Sequence, residues 1–388
     1  MIRAQSFTDK WPVTNLGQAV EFLDHLRKPV KASERVEGDY YYYGANGIQG
    51  TINDFIFDEP LVLLAEDGGH FGNPDRTIAY IAEGKYWVNN HAHVLKPKDG
   101  MDLNYLCRVL EKYDVTPFIK GATRAKLSKT DASRIPIPLP PLPIQKQIAA
   151  LLEKADTLRS QCKQMEQELN RLAQSVFLEM FGDPVTNPKG WDVSEVSQCA
   201  HVKTGNTPSK AIPEYYSEKC IEWIKSDNIN TPDDYLTKAK DYLSEKGKSA
   251  GRVVGKGSVL VTCIAGSHSC IGNASIADRD VAYNQQINAL IPTEAVTTEY
   301  LYMLCIVGKK IIQQASTNAM KGMVSKGVFE KIKLPIAPIE LQRHYSSIFH
   351  KINEKKKAAS ISNENACDFF DSLMQNAFSG KLNLTKAA

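Results

Sequence analysis

A self-similarity at one fixed offset constrains this chain more than any other feature. Residues 127–156, LSKTDASRIPIPLPPLPIQKQIAALLEKAD, align without a gap on residues 324–353, VSKGVFEKIKLPIAPIELQRHYSSIFHKIN, at a shift of 197 residues. Ser128, Lys129, Ile135, Pro138, Pro141, Gln145 and Lys154 meet Ser325, Lys326, Ile332, Pro335, Pro338, Gln342 and Lys351. The same shift relates Phe181 to Phe378. Upstream the likeness is looser. Trp11 opens one half and Trp191 the other, and NNHAHVLKP (89–97) has the rhythm of NQQINALIP (284–292). Each of these follows a glycine-punctuated apolar stretch, DEPLVLLAEDGG (58–69) and GKGSVLVTCIAG (255–266). A chain of 388 residues is longer than one core usually serves. The repeat therefore predicts two similar domains, each followed by a helix.

The helices follow from the periodicity. PIPLPPLP (136–143) cannot be helical and is expected to form a stiff extended arm. Beyond it, Ile148, Leu151, Ala155, Leu158, Cys162, Met165, Leu169, Leu172 and Val176 alternate spacings of three and four, as a heptad seam does. At about 1.5 Å per residue this helix spans roughly 45–50 Å. FGDP (181–184) stops it with glycine and proline. The second seam is Tyr345, Ile348, Ile352, Lys355, Ala359, Ser362, Ala366, Phe369 and Leu373, weak at its centre. One reading is an ordinary amphipathic helix. The sharper one is antiparallel pairing of the two helices, with Lys355 and Ser362 setting register or facing a partner.

The remaining segments read as β. DFIFD (54–58), LVLLA (61–65), IAYIA (78–82) and SVLVTCIA (258–265) lie between Gly, Asn, Asp and Pro clusters, with short helices expected near 101–112 and 298–315. The fold class is α+β: two pseudo-repeated β-rich domains joined by two long antiparallel coiled-coil helices. The boundaries fall at 1–143, 144–181, 182–338 and 339–380.

The composition is that of an ordinary globular protein, with 43% hydrophobic and 23% charged residues and a net charge of +3. The N-terminus has no apolar signal core, and no run approaches the eighteen apolar residues of a membrane span. The eight cysteines form no CxxC pair. A cytoplasmic protein with reduced thiols is expected.

Catalytic signatures are missing from the sequence. GRVVGKGS (251–258) is one spacer short of a phosphate loop and continues into a strand pattern. No GxGxxG, GxSxG or HExxH occurs, nor the NPP or DPP of an adenine methyltransferase loop. On a strand, His91 and His93 of NNHAH (89–93) point to one face, and two such residues could ligate a metal. With no third ligand nearby in sequence, a structural or hydrogen-bonding role is the expectation. In YYYGANGIQG (41–50), Asn46-Gly47 signals a hairpin. Its tyrosines read as the core and rim of a β domain, or as a loop presented to nucleic acid. Basic clusters at Arg27, Lys28, Lys31 and Arg35, and at Lys246, Lys248, Arg252 and Lys256, read as solvated faces or as phosphate-contacting strips.

The whole pattern resembles one family, the specificity subunits of type I restriction–modification systems. The resemblance is carried by IPIPLPPLPIQKQIA (135–149) and its repeat IKLPIAPIELQRH (332–344). The first half adds WPVTNLGQAVEFLDHLRKPV (11–30), GDYYYYGANGIQG (38–50), FIFDEPLVLLAEDGG (55–69) and GKYWVNNHAHVLKP (84–97). The second adds GWDVSEVSQCAHVKTGNTPS (190–209) and IEWIKSDNI (221–229). It covers nearly the whole chain.

The resemblance implies a protein that is not itself an enzyme. Each β domain would read one half of a split site on double-stranded DNA. Two methyltransferase subunits would dock on the helices, and motor-nuclease subunits would join for cleavage. Half-sites about one helical turn, roughly 34 Å, apart suit a helical spacer of this length. Expected DNA-contacting residues are Arg27, Lys28, Tyr43, Asn46, Asn90 and His91 in the first half, and Thr204, Asn206, Lys225, Ser226, Asn284 and Gln285 in the second. Expected partner and coiled-coil positions are Ile148, Leu151, Leu158, Met165, Leu169, Leu172, Ile348, Ile352, Phe369 and Leu373. No catalytic residue, metal, cofactor or membrane is expected. Three other readings remain: a coiled-coil adaptor that binds proteins, a targeting subunit of a related complex without a motor, and, more distantly, a metal-dependent enzyme using His91 and His93.

Overall fold

The structure is a computed structural model, described for residues 1–3, 7, 10–120, 125–317 and 322–382. It divides into two compact units, Met1–Lys163 with Ile361–Ala388, and Gln164–Ser360. Each unit holds one β domain and part of both long helices, Leu142–Phe181 and Ile339–Phe378.

In the first unit a four-stranded sheet runs in the order Val20–Phe22, Ala92–Pro97, Leu61–Ala65, Ala79–Ala82. A three-stranded sheet places Tyr40–Gly44 between Gly47–Ile52 and Tyr86–Val88, pairing antiparallel with the former and parallel with the latter. Leu61–Ala65 is buried at every position, as its unbroken apolar run requires. The helix Leu103–Leu110 starts on an Asp102 cap and covers one face. Asn46-Gly47 does turn a hairpin, with Gly47 at a φ of 104°. DFIFD is not a strand. Only Phe57 forms a bridge there, to Tyr86, and Asp54 turns its side chain onto the Phe55 amide, as turn-forming Asp residues do.

The second unit repeats the plan. Ala200–Thr204, Ile287–Pro292, Val259–Thr262 and Ala274–Ile276 form the matching sheet in the matching order. Ile221–Ile224 pairs parallel with Val281–Tyr283, as Tyr40–Gly44 does with Tyr86–Val88. The predicted helix over 298–315 is broken into Thr298–Val307 and Lys309–Gln314, with Gly308 between them.

The proline strip is a closing strand, not a free arm. Pro136–Pro138 pairs antiparallel with Val13–Asn15, and Lys333–Ile336 with Asp192–Glu195. The strip thus clasps the end of each β domain to its beginning. The first long helix then starts at Leu142, two residues earlier than expected.

The long helices pair antiparallel within each unit. In the first, Ile148, Leu152 and Ala155 share a core with Phe370, Leu373, Met374 and Ala377. In the second, Ala173, Phe177 and Phe181 pack with Tyr345 and Phe349, and the Tyr345 hydroxyl donates to the Ala173 carbonyl at 3.0 Å. Early residues of one helix meet late residues of the other in both cases.

The predicted seam is rotated by one position at every second step. Leu158, Met165 and Leu172 are 48%, 55% and 45% exposed, and Phe369 is 53% exposed. The buried or half-buried positions are instead Leu152, Arg159, Glu166 and Ala173 on the first helix, and Phe349, Lys356, Asn363 and Phe370 on the second. Lys355 and Ser362 therefore lie outside the seam. A stripe from Ile148 through Ala155 can step by three then four, or four then three. Apolar residues at both Leu151 and Leu152 leave the choice open in sequence, and packing on the β domain decides it.

Candidate nucleic-acid interface

Both units build the same turn beside the same loop base. In the first, Asn89 is buried and its side-chain oxygen accepts the His91 amide at 2.8 Å. Its Nδ2 donates to Gln49 Oε1 at 3.0 Å. The His91 carbonyl accepts the Glu66 and Asp67 amides. In the second, the Asn284 oxygen accepts the Gln286 amide at 3.0 Å, and the Gln286 carbonyl accepts the Cys263 and Ile264 amides. Each turn leaves one side chain at its crest, Asn90 and Gln285, both exposed.

The adjoining loop is closed at corresponding positions in the two halves. Lys120 and Lys126 exchange backbone hydrogen bonds of 3.2 and 3.1 Å, and Asp67 bridges to Lys126. At the 197-residue shift, the Thr317 amide donates to the Met323 carbonyl at 3.0 Å, and Ile264 pairs with Met323. Lys120 and Lys126 keep 73% and 52% of their side chains exposed while pairing with Asp131 and Glu66. These two lysines were not singled out in the sequence. The signal was the alignment at a shift of 197 residues, which begins one residue after Lys126.

Beneath the first turn lies a charged cluster. Fully buried His93 sets Nδ1 against Asp24 at 2.7 Å and Nε2 against the Leu127 carbonyl at 2.8 Å. Arg27 bridges Glu66 at 2.7 Å and the Ala92 carbonyl at 2.7 Å. Burial would raise the Asp24 carboxyl, but the His93 hydrogen bond and charge, the Val94 amide and Arg27 outweigh it and hold it low. Glu66 is likewise held low against burial by Arg27, Lys126 and His93. Asp24, Glu66 and His93 do supply three potential metal-ligand atoms within 4.8 Å of one another. Arg27 and Lys126 already pair with Glu66, Arg27 also lies against Asp24, and both ring nitrogens are engaged, so the cluster serves as an ion-paired brace. His91 turns away from it to pair with Asp67. The second unit has a neutral counterpart, with Asn288 bonded to Thr204 Oγ1 at 2.7 Å and Cys263 Sγ at 3.3 Å.

Several expected contact residues work inside the domains. Tyr43 is 8% exposed and packs on Tyr80 and Tyr86, so it is corrected to a core residue. Arg27 is corrected to the brace just described. Asn284, 7% exposed, spends its side chain on Gln286. Thr204 holds Asn288, Asn206 ties the Ala250 carbonyl to the Arg252 amide, and Lys225 pairs with Asp241. Lys28, Asn46, Asn90 and Gln285 are exposed, and His91 and Ser226 are half-buried. Asn46 lies near the first loop base through its 2.9 Å bond to the Gly68 carbonyl, and Gln285 is bonded to Thr207.

Among the described residues no cysteine thiol is hydrogen-bonded to a histidine. Burial pushes the Cys107, Cys263 and Cys305 thiols up to about 12, which leaves them inert. Among the described residues no helix is long and apolar enough to cross a membrane.

A β domain closed by a proline-rich strand, leading into a long helix and repeated once, defines a class of duplicated DNA-specificity proteins. The model of the type I restriction modification DNA specificity domain matches residues 8–171 and 188–363, and the chain belongs to this family. It is 28% identical over 350 residues to a putative type I restriction enzyme specificity subunit of Haemophilus influenzae, covering 87% of this chain and 86% of that one. A type I specificity subunit of Methanocaldococcus jannaschii is 23% identical over 396 residues, with coverage of 90% and 88%. The fold is shared with the crystal structure of a type I restriction–modification S subunit from M. genitalium (TM-score 0.61, 14% identity, 97% of both chains).

Proposed function

We propose that this subunit reads a bipartite site on double-stranded DNA, one half-site per β domain, and catalyses nothing itself. Functional modules then correspond to residues 1–143 and 182–338 as readers, and 144–181 and 339–380 as spacers. The observation that carries this reading is the duplicated loop base with its crest residue: Asn90 beside Lys120 and Lys126, and Gln285 beside Thr317 and Met323. Side-chain amides at a crest suit base edges, and exposed lysines beside them suit phosphates. Lys28 and Asn46 extend the first surface, and His91 and Ser226 flank the two turns.

Two methyltransferase subunits supply the adenine chemistry in this reading, and motor-nuclease subunits supply cleavage, all in the cytoplasm. The outward Leu158 and Phe369 of the first unit, and the outward Met165 and Leu172 of the second, are docking positions for the methyltransferase subunits. The test is methyl-adenine sequencing of host DNA with and without this gene while the methyltransferase is expressed. Loss of one bipartite motif is the expected result, and an unchanged methylome overturns the reading.

A further inference from the structure

The two β domains differ at one sheet edge. In the second unit, Ile221–Ile224 is followed by a long excursion, residues 225–241, before the chain pairs again at Tyr242–Leu243. In the first, Tyr40–Gly44 turns straight back through Ala45 and Asn46.

The excursion covers the edge strand Ala274–Ile276. The Ile276 amide donates to the Asp234 carbonyl at 2.8 Å, the Leu236 amide donates to the Ile276 carbonyl at 3.1 Å, and Tyr235 bridges Ile276 in parallel. Tyr302 donates to one Asp234 carboxylate oxygen at 2.9 Å, and Lys356 pairs with the other.

The matching edge in the first unit is Ala79–Ala82, in the same place in the strand order. Ile81 stands opposite Val62 as Ile276 stands opposite Val259, and Val62 and Val259 are 197 residues apart. The alternation of an antiparallel ladder then points the Ile81 amide and carbonyl outward, as it does at Ile276. Among the described residues no backbone group meets them. A groove of about 320 Å³ lies there, bordered by Thr77, Ala79, Ile81, Cys107, Ala149 and Glu153.

Charge indicates what fits. Arg159 holds the position of Lys356, but its carboxylate partner comes from its own helix, Asp156 at 2.5 Å. Asp156 also takes Arg108 at 3.0 Å. Glu111 is 8% exposed beside Arg108. Glu153 is exposed and has no ion pair among the described residues. Of the charged side chains that line the groove, two are carboxylates, Glu111 and Glu153, and one is a guanidinium, Arg108.

We propose that the Ala79–Ala82 edge is a docking site for an extended segment of a partner protein, which adds as a parallel strand and sets a Lys or Arg against Glu153. The covering segment of a second copy is disfavoured, because Asp233 and Asp234 would bring like charge to that wall.

The test rests on the partner subunits of the preceding section and uses amide hydrogen exchange on the full chain, alone and assembled with its methyltransferase subunits. Alone, Ile81 should exchange at least tenfold faster than Ile276. In the assembly Ile81 should slow at least tenfold, Ile276 should stay constant, and Glu153→Lys should remove most of the slowing. Three results each overturn the proposal: Ile81 as slow as Ile276 in the isolated chain, no slowing in an assembly that methylates DNA, or full slowing in Glu153→Lys. Methylation by the same sample is read separately, so failure of the proposed function is distinguishable from failure of this site.

Discussion

Gln145 and Gln342 make the same three hydrogen bonds 197 residues apart. Gln145 accepts the Asp102 amide at 2.8 Å and donates to the Gly100 and Pro140 carbonyls, both at 2.8 Å. Gln342 accepts the Thr297 amide at 2.9 Å and donates to the Ala295 and Ala337 carbonyls at 3.2 and 2.8 Å. Both side chains are fully buried. Each joins the first turn of a long helix to the cap of the domain's own helix and to the proline-rich segment. Replacement by alanine strands a partly buried donor and two acceptors. Gln145→Ala and Gln342→Ala should each cost about 2–4 kcal/mol, read from urea unfolding. A loss under about 0.5 kcal/mol would show that the joint is dispensable.

The rotated seam separates stability from assembly. Leu152→Ala removes a fully buried side chain and should destabilise by about 2–4 kcal/mol. Leu158→Glu and Met165→Glu alter exposed positions and should shift unfolding by less than about 0.5 kcal/mol. The same two changes should weaken co-purification with methyltransferase subunits at least tenfold. Equal effects of Leu152→Ala and Leu158→Glu on stability would contradict the assignment of faces.

The brace makes a prediction about acid. Asp24 and Glu66 have folded values below their ordinary 3.8 and 4.5. Their stabilisation is therefore complete above those ordinary values and is lost as pH falls through the depressed ones. Glu111, raised by burial, has the opposite sign, its contribution fading as pH rises through its folded value. Thermal unfolding followed from pH 7 to 3 should show a steep loss below about pH 4. His93→Gln, which removes the main partner of Asp24, should flatten that limb. An unchanged slope would mean that other carboxylates control acid unfolding.

The crest residues should separate the half-sites. Asn90→Ala should relax recognition in one half of the methylated motif and Gln285→Ala in the other, each by about 1–3 kcal/mol if the contact is bidentate. Lys120→Ala and Lys126→Ala should instead weaken binding to all sequences and lower its salt dependence. Methylome sequencing and salt-titrated binding would read these effects, and relaxation of both half-sites by Asn90→Ala alone would count against modular reading.

The sequence by itself determined the duplication, the two helices with their antiparallel pairing, and the family. These features rest on local periodicity and on residues such as Gln145 and Pro138, whose roles recur at a constant offset. Only the tertiary structure decided which face of each helix is buried, because Leu151 and Leu152 are equally apolar and the β domain selects between them. It alone turned the proline strip into a clasping strand, since the partner strand lies over a hundred residues upstream in each half. It also moved Tyr43 and Asn284 from the expected DNA surface to the interior and set exposed Lys120 and Lys126 at the base of the neighbouring loop. An isolated Tyr or Asn looks the same in sequence whether its polar atom faces solvent or closes a turn. Which of these it does depends on neighbours that only folding supplies.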